Sequence, residues 1–429
     1  MSLRSAHART GIPLAFSALL LAVAESAAGQ TVCPGPWALR EVATAGAVDG
    51  EVTFFDIQDI EVDAEGRVFV VQRSDPSVQV FDADLRSVGT IGRSGQGPGE
   101  FAAPPVRLAF RGDTLVVTER YGAHFFAGTE EVRRARFRVR IEAESSTFIA
   151  GAPLADGSLL GFRFLNSPVE RFFLTESIAL RRFNEAGEIL GTIASVDQLP
   201  AVHVPDFPEL TRAHPLADWT GEPWTQAVVT PDGSAVIVIR DNYKDGAGSF
   251  QLVKLGLAGD TLLHVPINYE PTRVSTADRN VLRDGVTRLV SGGLLDSRPD
   301  AVLPPTAVAA RHARAADRAL TFPDHHPPVR QVVAGLDGSI WLLRVTRPAP
   351  ADVWEIYDEI GTSVGSVRID SGRSGPFPWG PRLQIFQATR DEVWGVSVDQ
   401  FDVPYVHHYQ IDKACRLSGR LAGQRSGWM

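Results

Sequence analysis

Five arginines recur at one place in a repeated pattern of this 429-residue chain. Arg73, Arg120, Arg163, Arg240 and Arg344 follow Gly66, Gly112, Gly157, Gly233 and Gly338, respectively, by six to eight residues. A guanidinium is a planar fork of donors, so several gathered at one mouth would receive a carboxylate, sulfate or phosphate. Scattered, they would simply pair with surface carboxylates such as Glu119 and Asp241. A second set precedes the same glycines. Asp59, Gln226 and Gln331 each stand seven residues before one, Gln384 aligns more loosely, and Arg107 and Arg330 lie nearby. On neighbouring strands such side chains bind a small polar ligand or hold water.

Other candidate chemistry is weaker. His325-His326 and His407-His408 are the histidine pairs. Adjacent strand residues point to opposite faces, so His407 and His408 cannot share a metal. No nucleophile elbow, zinc-protease motif or paired CxxC occurs. Ser291-Gly292-Gly293 and the other scattered serines carry no triad signal.

The elements that must position these residues are short strands. A turn with a central glycine precedes a run of Val, Ile or Leu at Gly66, Gly112, Gly157, Gly233 and Gly338, and a sixth turn at Thr389–Glu392 lacks the glycine. The first unit reads as inner strand 57–63, second strand 67–72, third strand 78–81 and fourth strand 87–92. Its second hairpin recurs at 178–195, 250–267 and 353–369. A hairpin repeated at such intervals predicts a β-propeller, here all-β with six blades. Residues 37–46 read as the fourth strand of the last blade, closing the ring and removing an open edge. Two stretches interrupt the repeat. Residues 197–223 are rich in Pro, His and Trp, and 271–328 is a partly helical inter-blade insertion.

The N-terminal 29 residues have the form of a secretory signal, with Arg4 and Arg9 before the apolar run 12–24 and the small residues Ala27-Ala28-Gly29 at the cleavage site. The run is too short for a comfortable membrane span. The mature chain, 30–429, is then exported to the periplasm or the extracellular space, with no membrane span. Removing Arg4, Arg9 and Glu25 moves the formal net charge from −9 to −10. An acidic chain lacks the basic footprint of nucleic-acid binding. The only cysteines, Cys33 and Cys415, stand near the two ends of the mature chain. In an oxidising compartment they are expected to form a disulfide that replaces the turn missing between strands from opposite chain ends, two free thiols being the alternative.

The loop Gly95-Gln96-Gly97-Pro98-Gly99-Glu100-Phe101, followed by Pro104-Pro105 and a strand, resembles the inter-blade loop of NHL-repeat propellers. Residues 62–70 and 78–81 fit the rest of that repeat, although Gln72 and Ser77 replace the acidic and Arg residues usual there. The resemblance extends to the six-bladed propellers exported by bacteria, and it implies the fold more than the function. Six-bladed lactonases and amidating lyases hold a central metal with acidic, Asn or His ligands, and no matching set stands on the inner strands here. The resulting expectation is a non-enzymatic binding or scaffold module with no cofactor. Its small-molecule, glycan or protein ligand would be taken by the loop-rich face and central channel. The alternative is a metal-dependent hydrolase or lyase.

Overall fold

A computed structural model describes residues 36–46, 52–73, 75–119, 122–136, 146–165, 177–184, 186–197, 226–242, 244–280, 324–344, 352–369, 383–399, 401 and 403–413. The expected signal segment, both cysteines, Arg120 and most of the two insertions lie outside them. Of the second insertion, residues 271–280 and 324–328 are described, and 276–280 are helical.

The described chain is built from antiparallel strands. It begins with β1 (Pro36–Ala45). Four strands then form the first sheet in chain order: β2 (Ile57–Val62), β3 (Val68–Gln72), β4 (Asp75–Phe81) and β5 (Ser87–Ile91). The second sheet is β6 (Arg107–Arg111), β7 (Thr114–Glu119), β8 (Gly122–Ala127) and β9 (Glu130–Arg136). The third is β10 (Ser146–Pro153), β11 (Leu159–Leu165), β12 (Ser177–Phe183) and β13 (Ile189–Asp197). The fourth is β14 (Ala227–Val229), β15 (Ala235–Arg240), β16 (Ser249–Gly256) and β17 (Thr261–Asn268). The remaining strands are β18 (Val329–Ala334), β19 (Ile340–Arg344), β20 (Asp352–Tyr357), β21 (Ser363–Ile369), β22 (Gln384–Ala388), β23 (Glu392–Val398) and β24 (Pro404–Asp412). With β1 they form one eight-stranded sheet in the order β18-β19-β20-β21-β1-β24-β23-β22.

The seam of that sheet is short. β1 pairs with β21 in parallel through only Pro36 and Trp37, whereas it pairs antiparallel with β24 from Ala38↔Asp412 to Ala45↔Val406. The N-terminal strand thus covers the outer edge of β24, as the incomplete last repeat predicts.

Turn chemistry explains the repeat. Gly66, Gly112, Gly157, Gly233 and Gly338 all have positive φ, the region where a side chain is costly. An acidic or amide side chain often secures the turn. Asp63 Oδ1 accepts the amides of Glu65 and Arg67, Asp232 Oδ1 that of Ser234, and Asp337 Oδ1 that of Ser339. The sixth turn dispenses with glycine because Thr389 Oγ1 accepts the amides of Asp391 and Glu392.

The core lies between sheets. Phe69, Val71 and Val78 pack with Leu108, Leu115 and Val117, and Val116 and Ala123 with Leu159 and Phe183. Leu160 and Leu180 meet Val236 and Val238, while Ile239 and Phe250 meet Val332 and Leu342. Trp341 and Trp354 meet Ile385 and Val393, and Ile60 and Val70 meet Trp394 and Val406. The succession returns to its starting sheet, so both faces of the inner strands are covered and strands such as β3 and β15 read as near-continuous apolar runs, while β5 and β17 stay largely exposed. This is a propeller-like arrangement.

The glycine-rich loop is held between the first two sheets. Phe101 is fully buried, edge-on to Phe126 and to the ring of His124. Arg134 donates to the carbonyls of Gln96, Gly97 and Glu100. Glu131 accepts the Gly99 amide, Arg134 Nε at 2.7 Å and His124 Nδ1 at 2.8 Å. Burial opposes ionisation of Glu131, but these donors outweigh it and hold its carboxyl at about 2. The alternating arginines 134, 136, 138 and 140 suggest a solvent-facing basic strand, yet Arg134 turns onto the loop, and Arg138 and Arg140 lie outside the described residues. Truncating the plug removes contacts on two sheets at once. Phe101→Ala is expected to cost about 3–5 kcal/mol of unfolding free energy in urea titration; a loss below ~1 kcal/mol would show that the loop carries itself.

Candidate functional site at the innermost strands

The innermost strands adjoin one another. β6 lies against β2 and β10, β22 against β2 and β18, and β18 against β14. The turns after β10 and β14 are joined by Ala155 N donating to Gly233 O at 2.9 Å, and those after β18 and β22 by Leu336 N donating to Ala388 O at 2.8 Å. Strand alternation places Asp59 and Glu61 on one side of β2 and Ile60 on the other, where it joins the apolar cluster around Trp394.

Asp59 is buried, with 7% of its surface exposed, and bridges two innermost strands. Its Oδ2 accepts the Leu108 amide of β6 at 2.9 Å, its Oδ1 accepts the Ile60 amide at 3.1 Å, and Arg107 Nη1 stands 3.7 Å away. Burial pushes its pKa above the usual carboxylate range, while Arg107 and the two amides oppose the rise. Glu61 is raised further, first by burial and then by the neighbouring Asp59 charge, with Arg111 pulling the other way. Arg111 is itself lowered by burial, and Glu61 and Asp232 restrain the shift. Its guanidinium donates to the carbonyls of Phe110 at 2.6 Å, Pro231 at 2.8 Å and Pro153. One arginine therefore ties the ends of three sheets beside an acid pair.

Of the glutamines expected beside Asp59, Gln331 donates through Nε2 to Ile385 O of β22 at 3.1 Å. Gln226 is buried at the entry to β14, and Gln384 is exposed. Asp59 and Arg107 are brought together; Gln331 is instead engaged with a neighbouring innermost strand. Sequence reasoning missed Glu61 and Arg111. Two carboxylates at i and i+2 facing a strand with arginines at i and i+4 was the available signal.

Of the five arginines, Arg73 and Arg344 have different partners. Arg73 is exposed and pairs with Asp56 at 2.8 Å. Arg344 donates to Pro328 O and Glu355 and lies over the Phe250 ring. Arg240 is exposed at the end of β15, Arg163 belongs to β11, and Arg120 lies outside the described residues. Among the histidines, His325 contacts Asp245 at 2.9 Å and His326 contacts Asp278 at 3.3 Å. His408 stacks on Trp394, whereas His407 faces the opposite side of β24, as alternation requires.

No family model matches the chain, and a search of curated proteins returns no significant match. Solved structures are similar only in outline. An exported protein of Bacteroides fragilis is 10% identical with a TM-score of 0.41, over 87% of this chain and 95% of that one. A DUF4221-family member of Bacteroides vulgatus is 9% identical with a TM-score of 0.43, over 88% and 98%. The calcium-binding regucalcin of Agrobacterium tumefaciens is 10% identical with a TM-score of 0.36, over 86% and 95%.

The acid pair sets a pH dependence. A carboxyl raised in the folded state binds its proton more tightly there than in the unfolded chain. The Glu61 contribution to stability is therefore full below its ordinary value of 4.5 and declines as pH rises through the higher folded value. Glu61→Gln is expected to flatten that decline, leaving the variant more stable than the parent at neutral pH relative to their difference at acidic pH. Denaturant titrations across the acid-to-neutral range check this; parallel profiles would mean that Glu61 is not held protonated by its surroundings.

Proposed function

We propose that this chain is an exported six-bladed propeller that binds a polar small molecule or glycan at its hub, without chemistry at that site. The eight-stranded sheet then counts as two blades, β18–β21 and β22–β24 with β1, whose junction is the two-residue seam. The propeller would occupy 30–429 after loss of residues 1–29, with the stretches 197–223 and 271–328 inserted between blades. No helix among the described residues is long and apolar enough to cross a membrane.

The observation that carries the reading is the gathering of Asp59, Glu61, Arg107 and Arg111 where innermost strands meet. Burying ionisable groups costs stability, and apolar side chains would fill this hub without that cost. Perturbed groups collected in such a place mark functional sites more often than ordinary core. The set offers acceptors and donors of both kinds, which suits hydroxyl-rich ligands, with Gln226 and Gln331 on neighbouring blades. The arginines Arg73, Arg120, Arg163, Arg240 and Arg344 would border the loop-rich mouth and favour a ligand with an anionic group. A metal-dependent hydrolase or lyase is the second reading, and it would need several carboxylate, His or Cys ligands around one ion. Stoichiometric calcium or zinc that is lost on changing Asp59 would restore that alternative.

The binding reading is tested by screening the purified protein against glycans and polar metabolites by thermal shift, then titrating hits calorimetrically. Asp59→Asn and Arg107→Ala are each expected to weaken a hit at least about tenfold, or ~1.4 kcal/mol. Hits whose affinity both variants leave intact would move the site elsewhere.

The cysteine expectation belongs to the same ring closure. β1 begins three residues after Cys33, and the described part of the chain that follows β24 ends two residues before Cys415. The strands between them run antiparallel with Ala38 opposite Asp412. A Cys33–Cys415 disulfide would clamp this pair where no turn connects it. Non-reducing mass spectrometry should find no free thiol, and Cys33→Ser should cost about 2–5 kcal/mol; two alkylatable thiols in the native protein would rule the bridge out.

A further inference from the structure

Away from the hub, three strands bring together a serine and a histidine of one hairpin and a glutamate from the other end of the chain. Ser397 lies on β23, His407 on β24 and Glu41 on β1. Ser397 Oγ is 2.8 Å from His407 Nε2, and His407 Nδ1 is 2.9 Å from Glu41 Oε2. The two ring nitrogens thus face a hydroxyl on one side and a carboxylate on the other, which is the connectivity of a nucleophile, its base and the acid that orients the base.

Several independent features hold the arrangement. The register of β1 on β24 shifts between Glu41 and Ala43, and such a bulge re-aims a side chain. The Tyr409 phenol bonds to Glu41, and burial, followed by the Glu41 charge and that bond, pushes this phenol up to about 12. Thr44 Oγ1 stands 3.2 Å from His407 Nδ1 while donating to Val406 O. The His407 ring stacks on that of Tyr409, with centroids 5.4 Å apart, and the tilted Tyr405 ring lies 6.4 Å away. Burial lowers the affinity of His407 for a proton, with Glu41 opposing, which favours the neutral imidazole. Ser397 itself remains partly exposed. The two nitrogens of a neutral imidazole are one donor and one acceptor, and here a carboxylate faces one and a hydroxyl the other, the two kinds of group that acyl transfer requires.

We propose that Ser397 is a nucleophile activated by His407 and Glu41, and that the protein cleaves carboxylic esters at this second site. In the first step Ser397 Oγ bonds to the acyl carbon as its proton passes to His407 Nε2. The carbon–oxygen bond to the alcohol then breaks, and the alcohol leaves with that proton. In the second step water bonds to the acyl carbon, giving a proton to His407 Nε2. The bond to Ser397 Oγ breaks and the serine takes the proton back. Ester and water become acid and alcohol. Glu41 accepts from Nδ1 throughout, keeping the tautomer in which Nε2 is free.

The test is labelling of the full chain with a fluorophosphonate, with the adduct mapped by peptide mass spectrometry, beside a p-nitrophenyl ester assay. The adduct is expected on Ser397 and absent from Ser397→Ala, whose lost hydroxyl leaves the strand backbone intact. His407→Gln should slow labelling by about 10²-fold or more, and Glu41→Gln should slow it less severely. Circular dichroism and thermal melting confirm that each variant is folded; if His407→Gln is not, Glu41→Gln carries the comparison. A parent protein that forms no adduct, an adduct that persists in Ser397→Ala, or an adduct rate on Ser397 unchanged in the folded base or acid variant would overturn the proposal. Ligand binding at Asp59 and Arg107 is read separately and is unaffected by either result.

Discussion

The pairing of β1 with β24 is the constraint on which the rest of the molecule depends. Each sheet is a meander of local hairpins, and local hairpins alone leave a ring open at its last edge. Closing it requires strands about 370 residues apart in sequence, Arg40 and Gln410 for example, to find the correct register. The apolar side chains make this register worth keeping. Trp37 packs with Trp341 and Trp354, and Val406 packs with Ile60, so the closing pair touches sheets on both sides. A one-residue slip would turn these side chains away from the clusters they fill.

The same pairing creates one of the two features that ask for a functional account, and contacts between neighbouring innermost strands create the other. The hub needs all its innermost strands in place before Asp59 can receive Leu108 N and Arg111 can reach Pro153 and Pro231. The Ser397, His407 and Glu41 set exists only once the two ends of the chain lie side by side. A strand added for closure has one edge and one face free of the repeat's demands. That is where residues unrelated to the repeat can be placed without cost to the remaining sheets.

The repeat was legible in sequence because its grammar is local. A turn with positive φ at Gly66 or Gly338 demands glycine, an Asx residue before it supplies an acceptor, and Val or Ile follows. Even the copy lacking glycine could be recognised, since Thr389 performs the acceptor's part. Closure was legible by subtraction, as one blade lacked a strand and the N-terminus offered one. The hub was only half legible. Asp59 and Arg107 stand at repeat positions, but Glu61 and Arg111 draw their character from burial and from carbonyls on other sheets. The similar offsets of the five arginines speak only to the repeat. A shared place in the repeat does not give a shared environment, as Arg344 over Phe250 and Arg73 on Asp56 make plain.

The serine, histidine and glutamate were invisible for a deeper reason. His407 reads as half of a histidine pair in a strand, Ser397 as one polar residue in an alternating run, and Glu41 as an exposed acid near the N-terminus. Each is ordinary in its own segment. Their relation follows from register: Gly395 is opposite His407 and Thr44 is opposite His407 on the other side, so β24 carries its histidine between two strands. The diagonal neighbour Ser397 is then within reach of one nitrogen, and the bulge brings Glu41 to the other. Propeller sheets make such cross-strand constellations easy to form, because any three adjacent strands present side chains at a spacing of a few ångströms. What distinguishes this one is that its three members meet where β1 lies beside β24, so the contact between His407 and Glu41 depends on that pairing.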